Sequence, residues 1–439
     1  MKTGASIAYN KTIDPAIATK VVCAASAVHA VSGRILSGAV NPVQSPEYME
    51  RNEVLMKKSR IVSLLMAGVL LTVPLAGCSS DGDKIKIGGL APLSGEVSVY
   101  GIAADNGAKL AIKEINAAGG VLGKEIKYIV YDEKGDTTEA TSMYDKLVKK
   151  DKVVALIGDV TSNPTIAVAE KAVADNLPMI TPTGTAKAIT EKGTNVFRAC
   201  FIDPYQGEKM AAYTQKLKKT KAAILYNSSD DYSRGLTDSY VAKAGELGIT
   251  IVAKEAYNKG DKDFRTQLGK IADSGAEVLF LPEYYEDIAL IAAQAQEKKI
   301  DAVLLGADGW DGVLKDGVMD KTKLSALKNA FFCNHYSAES TDTKVQNFIE
   351  AYKKEYNEEP NAFAALAYDA AYTLVRAIEK AGSTDKDAII AALKDSDYKG
   401  VTGDIKFDEN RNPIKQTAIT TIQVDEDKQT AVYKYVETF

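Results

Sequence analysis

Histidine is almost missing from this chain, with only His29 and His335 among 439 residues. Imidazole is the commonest general base and a frequent metal ligand, so its scarcity leaves little material for acid-base catalysis or a histidine-rich metal centre. There is no GxxxxGK[ST] loop, no HExxH helix and no nucleophile elbow, which removes the usual signatures of nucleotide hydrolysis, zinc proteolysis and serine hydrolysis. The four cysteines, at positions 23, 78, 200 and 333, are too few and too far apart for a disulfide scaffold or a CxxC metal site. Excess charge of one sign is lacking as well: 54 basic residues face 59 acidic ones, a net charge of -5 with no run able to track a phosphate backbone. Nucleic acid is therefore not an expected partner. The carboxylates are many but form no constrained pair, the pattern of a solvated acidic surface, so the chain reads as a non-enzyme without cofactor or metal.

What is present begins inside the chain. Met56, Lys57, Lys58, Ser59 and Arg60 form a basic segment, and the apolar run Ile61 to Leu71 follows it. This is the layout of a secretory signal peptide. The stretch Ile61 to Gly77 is short for a bilayer crossing, contains Pro74, and leads into the polar tether at 79–83. It closes on Leu75-Ala76-Gly77-Cys78, similar to a bacterial lipobox, in which the Cys78 thiol would accept a diacylglyceryl group. Residues 1–55 precede a complete signal peptide and show no sustained periodicity, so they read as an upstream extension absent from the mature protein. Residues 56–77 are then the signal, and 78–83 the lipidated cysteine and its tether. The remainder is expected to work outside the cytoplasm, beside a membrane.

From Lys84 onward short apolar runs alternate with stretches of helical period, the pattern of parallel α/β sheets. Expected strands are Lys84 to Gly89, Glu125 to Tyr131, Val153 to Gly158 and Met179 to Thr181. A second set comprises Ala222 to Tyr226, Thr250 to Ala253, Glu277 to Leu281 and Ala302 to Gly306. Helices are expected at Ile102 to Ala117, Thr165 to Asp175, Ser233 to Leu247 and Phe264 to Asp273. Two such sets imply two lobes. The strand-like segments Val196 to Gln206 and Ala330 to Ser337 each turn sharply polar and are read as crossings between lobes. Helices near Val345 to Tyr356 and Ala362 to Ala381 come next, then strand-like Asp404 to Phe407 and Thr417 to Val424.

Several motifs in this region share an order and spacing. They are Gly89-Leu90-Ala91-Pro92-Leu93-Ser94-Gly95 with Tyr100-Gly101, Ile115-Asn116-Ala117-Ala118-Gly119-Gly120, and Met179-Ile180-Thr181-Pro182-Thr183-Gly184-Thr185. Phe197-Arg198, Asp203-Pro204-Tyr205-Gln206-Gly207 and Asp261-Lys262-Asp263-Phe264 complete the set. Through them the chain, from Lys84 to its end, resembles the type I periplasmic binding proteins of the Leu/Ile/Val-binding family. The resemblance implies an α/β fold of two Rossmann-like lobes with parallel-rich central sheets joined by a three-strand hinge. The first lobe would take 84–202 plus 334–417, the second 203–333 plus 418–439. It also implies a monomer that encloses a free amino acid between the lobes and presents it to the permease of an ABC importer; a sensor acting through a separate receptor is the alternative.

A free amino acid is a zwitterion and needs donors for its carboxylate, a negative acceptor for its ammonium, and walls for its side chain. The resemblance places Ser162 on the carboxylate, Thr183 and Thr185 in the loop serving both charged groups, and Asp308 against the ammonium. Many relatives carry the longer Glu at that last position. Tyr100, Tyr232, Tyr284 and Phe363 would form the walls, with Tyr285 and Trp310 as neighbours able to substitute. Each residue has a plainer reading: Ser162 as a helix N-cap, Thr183 and Thr185 as turn residues, Asp308 as an Asp-Gly turn, the aromatics as core. No Lys or Arg falls among these positions, which points to an apolar side chain. Cys200 and Cys333 lie in the two crossings and could approach each other, but two buried free thiols are the plainer expectation. Gly135 and Thr161 stand where enterobacterial relatives carry a disulfide, so that staple is expected to be absent.

Overall fold

The computed structural model describes residues 84–439. The signal segment, Cys78 and the upstream extension lie outside the described residues. No described helix is long and apolar enough to cross a membrane.

The first sheet is built from β1 (Ile85–Ala91), β2 (Ile126–Asp132), β3 (Ala155–Ile157), β4 (Met179–Thr181) and β5 (Val196–Arg198), in the order β2-β1-β3-β4-β5. All its pairings are parallel. Parallel strands need crossover helices that cover both faces, which is why β1, β3 and β4 are buried almost end to end rather than alternating. The crossovers are α1 (Ser98–Ala117), α2 (Thr137–Lys146), α3 (Ser162–Ala174) and the single turn α4 (Ala188–Glu191).

After β5 the chain enters α5 (Asp203–Lys216), β6 (Lys221–Asn227), α6 (Asp231–Glu246), β7 (Thr250–Tyr257), α7 (Arg265–Asp273), β8 (Val278–Leu281), α8 (Tyr285–Glu297), β9 (Val303–Gly306) and β10 (Ala330–Asn334). It then returns toward the first sheet through α9 (Thr343–Tyr356), α10 (Ala362–Ala381), α11 (Lys386–Lys394) and the small ladder β11 (Tyr398–Gly400) with β12 (Gly403–Ile405). It ends in β13 (Ala418–Asp425) and β14 (Thr430–Thr438). The second sheet has seven strands in the order β14-β13-β10-β9-β8-β6-β7, with β13 and β14 antiparallel. The chain thus passes between the sheets three times, after β5, after β10 and before β13.

The long return helix α10 fixes the first lobe. Asn361 caps it by accepting from the Ala364 amide at 3.1 Å, and Gly382 ends it in the left-handed region. It crosses α1 where Gly107 sits so close that an added Cβ would lie 2.0 Å from the Ala364 carbonyl oxygen. Only glycine permits that approach.

One expectation needs correction. The polar end of the first crossing is not extended: Asp203-Pro204-Tyr205-Gln206 is the first turn of α5, with Pro204 at a position where its missing N-H costs nothing. The strand-like reading of Asp404 to Phe407 holds in part: Gly403–Ile405 forms β12, paired with β11, and Phe407 makes a single bridge with Pro413. And α11 and β14, unmarked in the sequence reading, are both formed. β14 alternates exposed and half-buried residues at the sheet edge, a weak apolar signal.

Candidate functional site

The loop after β3 runs straight into α3. Thr161 is its N-cap residue but provides no side-chain cap, so the Ser162 and Asn163 amides keep their partial positive charge without a capping side chain, Pro164 having no N-H to cap. The cap reading of Ser162 is therefore wrong in detail: Ser162 is the first helical residue, and its Oγ accepts from the Ala186 amide at 3.3 Å. The loop after β4 is pinned against this one. Thr183 donates to the Val160 carbonyl at 2.7 Å, and Thr181 donates to the Asp159 carbonyl at 2.6 Å. Thr185 is buried beside them and its carbonyl accepts from the Asp203 amide.

From the second lobe, Asp308 opens a short 3-10 turn after β9. It is buried, and one of its oxygens accepts from Gln206 Nε2 at 3.0 Å and from the Tyr232 hydroxyl at 2.8 Å. The other lies 2.9 Å from His335 Nε2. An ionised carboxylate has about four lone-pair sites, so the three partners leave about one open. This is more than a turn aspartate. Tyr232 in turn accepts from the Gly309 amide at 2.9 Å, which locks the turn, and a Cβ on Gly309 would sit 2.5 Å from the Glu283 carbonyl oxygen.

Ser162, Thr183, Thr185, Tyr232, Tyr284, Asp308 and Phe363 line one cavity together with Val160, Thr161 and Gly309. Seven of the eight sequence-derived residues thus meet at one place. No cationic side chain lines it. The eighth, Tyr100, stands behind the wall: its ring stacks on Phe363 with centroids 4.1 Å apart, and its hydroxyl donates to the Gly309 carbonyl and accepts from the Tyr285 amide at 3.0 Å. Tyr100 joins the lobes directly. Tyr232 and Tyr284 form a second stack, 4.9 Å apart, and Tyr100 meets Tyr284 edge-on at 5.8 Å. The cavity's free volume is only about 10 Å³, room for one water. The lobes are shut on each other, bridged also by Asn163 Nδ2 donating to the Ser229 carbonyl at 3.3 Å and by the Asp231 amide donating to Asn163 Oδ1 at 3.0 Å.

Sequence reasoning missed three neighbours. Gln206 grips both the Asp308 carboxylate and the Asp308 amide. His335, in the second crossing, stacks on Phe201 of the first with centroids 3.7 Å apart. Burial pushes its imidazole pKa down, Asp308 opposing, so the ring is neutral, with Nε2-H donating to Asp308 and Nδ1 without a partner among the described residues. Asp203, at the start of α5, is fully buried, and burial, reinforced by the charge of Asp308, favours its protonated form. Gln206 and Asp203 stood in a recognised motif without a role, and His335 was conspicuous only by its rarity. Trp310 lies beneath the floor, its Nε1 donating to the Leu281 carbonyl at 2.9 Å. Cys200 and Cys333 are buried and free. No group of side chains among the described residues could hold a metal ion.

The periplasmic binding protein family model matches residues 84–429. The chain belongs to the type I periplasmic binding proteins of the branched-chain amino acid family. It is 35% identical over 314 residues to the Leu/Ile/Val-binding protein BraC3 of Rhizobium johnstonii, covering 71% of this chain and 83% of that one. It is 29% identical to the leucine-, isoleucine-, valine-, threonine- and alanine-binding protein of Pseudomonas aeruginosa, over 80% of this chain and 93% of that one. Among solved structures, the substrate-binding protein LivJ of Streptococcus pneumoniae in complex with isoleucine superposes with a TM-score of 0.72 at 31% identity, covering 80% of this chain and 99% of that one. The family is extracytoplasmic and its members are substrate-binding components of transport, not enzymes.

Proposed function

We propose that this protein is the substrate-binding lipoprotein of an ABC importer, anchored through Cys78, and that it captures a branched-chain aliphatic amino acid such as leucine, isoleucine or valine. The observation that carries the reading is the polarity of the closed cavity: uncapped amides and hydroxyls on one side, the fixed carboxylate of Asp308 on the other, stacked aromatic rings between them. The ligand carboxylate docks on the α3 amides, Ser162 and the Thr183–Thr185 loop. Its ammonium takes the open site on Asp308, and its side chain lies against Phe363, Tyr232 and Tyr284. A cavity of about 10 Å³ admits no amino acid, so capture starts from separated lobes and ends in closure, the ligand binding the two forms unequally. The monomer then presents its closed form to the permease.

The test is calorimetric titration of the purified protein, unfolded and refolded to strip bound ligand, against the common amino acids. Selective binding of leucine, isoleucine or valine supports the reading, and binding confined to acidic or basic amino acids overturns it.

A further inference from the structure

A second hollow, of about 730 Å³, opens at the hinge, between the second crossing (His335 to Thr341) and the third (Ile414 to Ala418), and is closed on one side by the turn joining β11 to β12. Its floor is Lys415, only 8% exposed. A buried ammonium normally has a carboxylate against it. Lys415 has none within ion-pair distance; its one hydrogen bond is to Thr402 Oγ1 at 2.6 Å. The nearest candidate, Asp369, stands behind Thr402, whose hydroxyl donates to it at 2.5 Å, and it also accepts from the Val401 and Thr402 amides at 2.9 and 2.8 Å. Burial accordingly pushes the Lys415 amine down to about 8, Asp369 opposing.

The walls add further donors. Ser337 Oγ and Ser340 Oγ each accept a backbone amide, from Glu339 at 3.1 Å and Asp342 at 3.2 Å, which leaves their hydroxyl hydrogens free. Gln416 lines the same hollow with its amide uncommitted. The two carboxylates at the rim are neutralised elsewhere: Glu339 pairs with Lys434 at 2.5 Å and Asp404 with Lys399 at 2.5 Å.

We propose that this hollow is a second binding site, for a small oxyanion such as phosphate, seated on the Lys415 ammonium and the hydroxyls of Ser337 and Ser340. An occupant ties the second crossing to the third, beside the histidine that holds Asp308.

The test titrates the refolded protein with inorganic phosphate at constant ionic strength, balanced with chloride, and follows the melting temperature, which rises saturably when an anion binds only the folded form. The wild type should show a saturable rise, Lys415→Met should lose it with at least tenfold weaker apparent affinity, and Lys415→Arg should keep it. Should Lys415→Met fail to fold, the double variant Ser337→Ala/Ser340→Ala, altered only in half-buried hydroxyls, should weaken phosphate severalfold. Ser162→Ala should leave the phosphate response intact, which separates this site from the α3 terminus. No saturable rise in the wild type, a full response in Lys415→Met or in the double variant, or its disappearance in Ser162→Ala overturns the proposal.

Discussion

The two lobes face the same cavity with opposite equipment. The first, all parallel, offers main-chain amides and hydroxyls and no charged side chain; the second, with its antiparallel edge, offers one carboxylate held by three side chains. Amides at a helix start carry partial charges that need no counter-ion, so the first lobe holds no charge that must be neutralised. A buried carboxylate cannot be left so, and Gln206, Tyr232 and His335 hold it in place of a ligand. The lesson is that the second side depends on a network, and its variants should be harsher than those of the first.

Asp308→Ala should break that contrast most severely. It removes the charge and leaves Gln206, Tyr232 and His335 unpaired, so amino acid affinity should fall by about 3 kcal/mol or more, roughly a hundredfold, in calorimetry. Gly309→Ala comes next, because its Cβ must displace the Glu283 carbonyl or Tyr232; a loss of about 1–3 kcal/mol of stability is expected in urea unfolding, with weaker binding. Ser162→Ala, on the first lobe, should weaken binding only about tenfold, one hydrogen bond to a charged group, with a loss of about 1 kcal/mol in unfolding because the buried Ala186 amide loses its acceptor. Equal losses from Ser162→Ala and Asp308→Ala would erase the distinction. Tyr100→Phe keeps the ring stack and removes the interlobe hydroxyl bridge. A drop of about fivefold in affinity is expected, seen as faster ligand release in stopped-flow experiments.

The smallest effect sharpens the picture of the first lobe's foundations. Glu133, just after β2, and Asp159, within the loop before α3, are both buried, and burial pushes both carboxyl pKa values up, each above the ordinary value of about 4. The folded state therefore keeps protons that the unfolded chain releases. That contribution is fully present below about pH 4 and is lost as pH rises through the folded values. Between pH 8 and pH 5 the wild type should gain melting temperature relative to Glu133→Gln. His335 acts in the opposite sense, since its lowered pKa favours the unfolded state once pH drops below about 6.5, but it is common to both proteins and cancels in the comparison.

Much of this was legible because it is periodic or local. The buried parallel strands and α10, from Ala362 to Ala381, announce themselves by apolar pattern, and the family motifs include Tyr100, Thr183 and Thr185 among the candidate residues. What stayed hidden depends on contacts between distant residues. Gln206 and His335 reach Asp308 across 102 and 27 positions, and nothing local marks either as its partner. The bridging role of the Tyr100 hydroxyl is invisible for the same reason, its acceptor Gly309 lying 209 residues away. Ser162 was ambiguous because an N-cap and a first-turn residue differ by one position, and only the backbone of Thr161 decides between them.

Trp310 is the only tryptophan in the sequence, and it lies fully buried two residues beyond Asp308, with its ring over Gly306. The indole is therefore a built-in optical probe of the floor of the cleft, free of background from other tryptophans. Emission excited selectively at the red edge of protein absorption reports from this one spot, and the 22 tyrosines contribute little there. Opening of the lobes can thus be timed in the unlabelled protein.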